Sequence, residues 1–228
     1  MTEVLRAEIV EGYWNNGAVL PYGLKTEHVK QAVLDTYSFL YNVNRLLVGE
    51  GFGFLEHTVL GNTFSGMLSE ILVKGIAKHC RSIVRNKRIG CHPDLIPPGR
   101  YPNDSVLRGD EGIEIKTSRQ GGGWQAHNAE KCWVMIFRYE MGNPEDPLDR
   151  RQPVRFVQIL AADLEVKDWS LAERRKTSRR TRTTSINERG MAKLRNNPVY
   201  QDPAFIVAPS AKLRAHYRTL HKNFKKPT

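Results

Sequence analysis

Glu114 and Lys116, in the stretch GIEIKTSR, set a carboxylate and an ammonium two positions apart with Ile115 between them. Successive strand side chains point to opposite faces, so Ile113 and Ile115 would share one face while Glu114 and Lys116 share the other. Twenty positions upstream, Asp94 in HPDLI offers a second acid beside the apolar pair Leu95-Ile96. Two converging carboxylates hold a hard divalent cation through oxygen, and Mg²⁺ takes one or two carboxylates together with waters and substrate phosphate. Such an ion lowers the pKa of its water and neutralises charge building on phosphorus. The pattern therefore fits metal-dependent phosphodiester cleavage, with Asp94, Glu114 and the carbonyl of Ile115 as metal ligands. Lys116 would orient or deprotonate the attacking water and stabilise negative charge. Mg²⁺ is the expected cofactor, and no organic cofactor is implied.

An isolated E-x-K is also what a solvated edge strand looks like, so other features must choose between the two. Asp104 in PND, ten positions before Glu114, competes for the first-acid role. Asp94 is preferred because Leu95 and Ile96 give it strand context, whereas Asp104 lies among turn-forming residues. A further acid, Glu70, lies in NTFSGMLSEILVKGIAKHC. There Phe64, Leu68, Ile71, Leu72, Gly75 and Ile76 form one broad apolar side at helical spacing. Glu70 falls on the opposite side among Gly66, Met67, Val73 and Ala77, where burial without a partner would be expensive. Either Lys74 pairs with it four residues on, or it faces the metal site.

The elements that must position these groups follow from periodicity and punctuation. Apolar residues from Val29 to Leu46 recur at helical spacing, predicting a helix over 25–47 with Thr26 as N-cap. The Glu70 segment predicts a second helix over about 63–81. A strand or hairpin is expected at Ile89–Ile96, and strands at Gly112–Ser118, in the apolar run CWVMIFRYE and in PVRFVQIL, with a proline-rich loop over 97–110. The glycine loop QGGGWQAHN reads as exposed and mobile. Near 186–195 a short helix is expected, and over about 210–224 a basic one. The fold class is α/β, a central mixed β-sheet flanked by helices. One unit of 228 residues is expected, with a core over about 25–165 and a basic C-terminal lobe over about 166–228.

At this point the chain resembles a known family. Pro93-Asp94 followed by Glu114-Ile115-Lys116 is similar to the signature of the PD-(D/E)xK nuclease superfamily, which includes most type II restriction endonucleases. Members commonly carry an additional Glu on a preceding helix, here Glu70. The resemblance covers roughly residues 60 to 140. It implies a restriction-endonuclease-like core, Mg²⁺ dependence, and catalytic roles for Asp94, Glu114, Lys116 and Glu70. Relatives with the same core act in repair, junction resolution or transposition.

Charge placement supports a polyanionic partner. Residues 166–228 hold 16 Lys+Arg against 4 Asp+Glu, whereas the first 165 residues hold 19 against 20. Excess positive charge concentrated in one quarter of the chain fits the phosphate backbone of double-stranded DNA. Arg179, Arg180 and Arg182, interleaved with Ser and Thr, are the best backbone-contact run. Arg119, Gln125, His127 and Asn128 carry side chains able to read base edges or hold phosphates. Cutting both strands of a symmetric site implies a homodimer. A non-catalytic DNA-binding protein is the competing reading, and an RNA-processing nuclease ranks lower because no RNP aromatic motif is present. The segregated charge disfavours a small-molecule hydrolase.

Three scattered cysteines, Cys80, Cys91 and Cys132, form no disulfide framework, and His79-Cys80 with Cys91-His92 lacks zinc-ligand spacing. No apolar run is long enough for a membrane span, and the acidic N-terminal stretch has no secretory pattern, so a cytoplasmic location is expected.

Overall fold

The computed structural model describes residues 4–126, 128–171 and 184–205. His127, the run containing Arg179, Arg180 and Arg182, and the expected C-terminal helix lie outside the described residues.

Helix α1 spans Thr26–Gly49, a short α2 Leu55–Thr58 and α3 Gly61–His79. Thr26 is not the N-cap of α1. Lys25 occupies that position, where its backbone N–H donates to His28 Nδ1 at 3.1 Å, and Thr26 Oγ1 instead donates to the Asn15 carbonyl. The imidazole three residues on thus satisfies a backbone donor at the helix start. The buried side of α3 is Phe64, Leu68, Leu72, Val73, Gly75 and Ile76, with Ile71 only half-buried. At Gly75 a Cβ would lie 2.9 Å from the Ala32 Cβ, so the missing side chain allows α1 and α3 to approach closely.

Strands follow as β1 Val84–Arg85, β2 Leu95–Ile96, β3 Ile113–Ser118, β4 Gln125–Ala126, β5 Cys132–Glu140 and β6 Arg155–Leu164. Then come β7 Trp169–Leu171, β8 Thr184–Ile186, α4 Glu188–Arg195 and β9 Pro198–Gln201. The fold is α/β. Its central six-stranded sheet runs β1-β2-β3-β5-β6-β9 and is mixed, with β3 and β5 parallel and the other pairs antiparallel. A second sheet, β4-β8-β7, is antiparallel.

These elements stack in three layers. On one face of the central sheet, Ile113, Ile115, Met135, Phe137 and Phe156 pack with the apolar sides of α1 and α3. On the other, Val134, Ile136, Leu160 and Leu164 meet Trp124, Trp169, Ile186, Met191 and Leu194 from the small sheet and α4. Strand β5 is covered on both faces, which is why its sequence is nearly continuously apolar. Each fully buried Leu or Phe contributes about 1.5–3 kcal/mol by leaving water.

Two expectations change. Of the strand or hairpin expected over Ile89–Ile96 only Leu95–Ile96 is a strand, pairing antiparallel with Val84–Arg85 upstream of the expected bounds, and Ile89 is 97% exposed. Pro93 has no N–H for a ladder, and the carbonyl of Pro93 is taken by the Asn86 side chain at 3.0 Å. The glycine loop is anchored at its centre rather than exposed throughout. Trp124 is buried, its Nε1 donates to the Gln120 carbonyl at 3.1 Å, and Gln125–Ala126 pairs with β8. The large apolar area of the indole is better placed in the second core than in water.

Candidate metal centre at the open edge of the sheet

Strand β2 pairs with β3 only at Ile113, so the edge of β3 is open from Glu114 onward. Asp94, immediately before β2, takes up that edge. Its Oδ2 accepts the Ile115 N–H at 2.8 Å, where a neighbouring strand would otherwise have bonded. The N–H and C=O of one strand residue leave on the same side, so the Ile115 carbonyl opens toward Asp94 as well.

On the opposite face from Ile113 and Ile115, Glu114 and Lys116 form a close pair. Lys116 Nζ donates to Glu114 Oε1 at 2.9 Å, while Glu114 Oε2 meets His92 Nδ1 at 2.9 Å. A further carboxylate, Glu130 Oε2, lies 3.5 Å from the same His92 nitrogen. All four side chains are largely enclosed, with exposures of 13–16%.

Burial and mutual charge set their protonation. Burial, reinforced by the charge of Glu114, pushes the Asp94 carboxyl up to about 7. Burial also acts to raise Glu114, but the hydrogen bond from His92 and the charge of Lys116 outweigh it and hold Glu114 below the usual carboxylate range. Burial alone would lower Lys116, yet Glu114 and Glu130 raise it overall. His92 follows the same logic, burial opposed and exceeded by Glu114. A lysine held cationic is a poorer proton acceptor and a stronger source of positive charge in an enclosed site.

The surrounding elements fix these groups from both sides. Asn86 donates through Nδ2 to the Pro93 and Val106 carbonyls, and its N–H donates to the Asp94 carbonyl. His92 is held by backbone bonds to Leu107 and Gly109. Gly112 leads into β3 at φ +152°, and its N–H donates to Tyr22 Oη at 2.9 Å. A Cβ there would collide with the Leu95 carbonyl and the Pro93 ring, so only glycine lets the two acid-bearing segments meet. Helix α3 is tied to β3 by Thr117 Oγ1, which donates to the Ser65 carbonyl at 2.6 Å.

Other expected residues are distributed as follows. Glu70 is exposed on α3 and pairs with Arg85, not with Lys74, although it lines the same cavity of about 500 Å³ as Asp94. Asp104 accepts the Gly99 N–H at 2.8 Å and pairs with Lys87, bracing the proline-rich loop. Gln125 lines a cleft of about 560 Å³ that also takes in Lys116 and the hydroxyl residues Ser65, Ser69, Thr117 and Ser118. Asn128 lines a third cavity, of about 470 Å³, beside His92. Arg119 is exposed just beyond β3. The HC…CH pair does not converge: His79 binds Asp35, while burial and the Asp94 charge push the Cys91 thiol up to about 11.

The carboxylate oxygens and the open carbonyl form a donor set suited to a hard divalent cation. A scan against protein-family models and searches of curated proteins and solved structures return no match. Sequence reading overlooked His92 and Glu130 as members of the cluster. His92 adjoins Pro93-Asp94, which is a usable signal, but Glu130 in NAEKC carries no spacing cue because it arrives through a long parallel crossover.

Proposed function

We propose that this protein is a Mg²⁺-dependent endonuclease of double-stranded DNA, of the PD-(D/E)xK type, with type II restriction cleavage as the favoured form. The observation that carries the reading is the junction of Asp94 with β3: one acid bonded to the Ile115 N–H, the other paired with Lys116 on the adjacent residue. Asp94, Glu114 and the Ile115 carbonyl would hold the ion. When bound there, Mg²⁺ supplies Lewis-acid stabilisation and a water of lowered pKa. Lys116, kept cationic by Glu114 and Glu130, places positive charge where a phosphate oxygen becomes more negative.

The cavities support a chain-like substrate. Asp94, Lys116 and His92 each line a different one of three cavities, so the acid cluster is reachable from several directions. Arg85, Lys87 and Arg88 line one, and serine and threonine hydroxyls another, and both groups suit phosphate contacts. Two copies would address the two strands of a symmetric target.

The test is incubation of pure protein with methylated and unmethylated phage DNA, with Mg²⁺ or EDTA, followed by electrophoresis. Discrete fragments that disappear with EDTA and with Glu114→Ala are expected. Structure-selective nicking of junctions or flaps would move the assignment to a repair or recombination nuclease of the same type. One observation favours a non-catalytic DNA-binding protein: both Glu114 oxygens already have cationic or imidazole partners. That reading predicts DNA retarded but uncut in every cation.

A further inference from the structure

We propose that His92, Glu114 and Glu130 form a second cation site, selective for first-row transition ions such as Mn²⁺, which shares Glu114 with the Asp94 centre. One ligand atom from each of the three residues lies within 4.8 Å of the others. The individual separations are those of ligands around one ion. His92 Nδ1 lies 2.9 Å from Glu114 Oε2 and 3.5 Å from Glu130 Oε2. Donors at about 2.1 Å from a metal lie about 3.0 Å apart in octahedral and about 3.4 Å apart in tetrahedral coordination.

The chemistry of the donors sets the ion class. Carboxylates alone suit Mg²⁺, Ca²⁺ and Mn²⁺, whereas an imidazole nitrogen shifts preference toward transition metals. The site is also prearranged. His92 is fixed by the backbone bonds from its N–H to the Leu107 carbonyl and from the Gly109 N–H to its own carbonyl. Glu130 is held by its carbonyl, which accepts Trp169 Nε1 at 2.8 Å. His92 Nε2 is buried without a hydrogen-bond partner among the described residues, and the His92 residue lines a cavity of about 470 Å³. A ligating histidine donates its other ring N–H to an outer partner.

The three ligand atoms lie close enough to surround a single ion, so the free protein should take one ion at the nitrogen-containing site. This deepens the metallonuclease reading and rests on it for the ion's purpose, but its binding is measured without DNA.

The experiment is Mn²⁺ titration of the full-length protein, followed by electron paramagnetic resonance with spin-echo modulation to detect a bound ¹⁴N. About one bound equivalent with nitrogen modulation is expected. His92→Gln should lose the modulation and weaken binding at least about ten-fold, and Glu130→Gln should weaken it with modulation retained. Asp94→Asn should keep the modulation. Circular dichroism of each variant separates ligand loss from misfolding, and the wild-type spectrum alone is decisive if a variant fails to fold. Bound Mn²⁺ without nitrogen modulation, modulation that survives His92→Gln, or no binding overturns the site. DNA cleavage with Mg²⁺ in that event would leave the nuclease reading intact. Nitrogen-coordinated Mn²⁺ in a protein that never cuts DNA would sink the nuclease reading and keep the site.

Discussion

Asp94 Oδ2 accepts the backbone N–H of Ile115 at 2.8 Å, joining a loop carboxylate to the residue between Glu114 and Lys116. This bond replaces a strand pairing that β2 does not extend far enough to make. It sets one acid against the other with both only partly exposed, and like charges held there cost stability.

That cost is measurable as a pH dependence. Asp94 is pushed up to about 7 when folded, against about 3.9 in an unfolded chain. The folded state then binds the extra proton, so its favourable contribution is complete below about pH 4 and is lost as pH rises through about 7. Thermal melts of the cation-free protein should fall between about pH 5 and pH 8, and Asp94→Asn should flatten that decline. Added Mg²⁺ or Mn²⁺ at about pH 8 should raise the wild-type midpoint more than that of the variant. Identical pH slopes in the two proteins would show that Asp94 titrates normally.

Lys116→Ala should reduce cleavage by about 10²-fold or more, in line with loss of a preorganised charge in an enclosed site. Binding of DNA in Ca²⁺ should persist, because Asp94 and Glu114 are untouched. Single-turnover cleavage and filter binding measure the two separately. Near-normal turnover would remove Lys116 from the chemistry.

Gly112→Ala should destabilise the fold by about 2 kcal/mol or more, through positive-φ strain and collision with Leu95 and Pro93. Urea unfolding checks this. Because the clash pushes Asp94 away from β3, residual cleavage at low temperature should fall further than the loss of folded protein explains. A well-folded, fully active variant would contradict the close approach.

Replacing Arg179, Arg180 and Arg182 with Ala should weaken DNA binding and reduce the slope of log K against log salt by about one for each phosphate no longer neutralised. Fluorescence anisotropy at several salt concentrations gives the slope. An unchanged slope would make the run a solvated segment.

Local pattern sufficed for the α/β class, for α1 and α3, and for the alternation that separates Ile113 and Ile115 from Glu114 and Lys116, because helical and strand periods are written into neighbouring residues. The apolar pair after Asp94 also marked it as lying at a strand, and Leu95–Ile96 is one. Tertiary structure alone decided the rest. Glu70 turned to Arg85 because Arg85 comes from a different element, and sequence spacing could offer only Lys74. Glu130, fourteen residues on, adds to the larger effect of Glu114 in raising Lys116 because it returns beside it at the end of the β3–β5 crossover. Trp124 went inside because β8 and α4, far along the chain, built a second core to receive it. Side-chain type limits what chemistry is available, but a pKa or a ligand set depends on which distant groups share a few ångströms, and chain connectivity does not encode that locally.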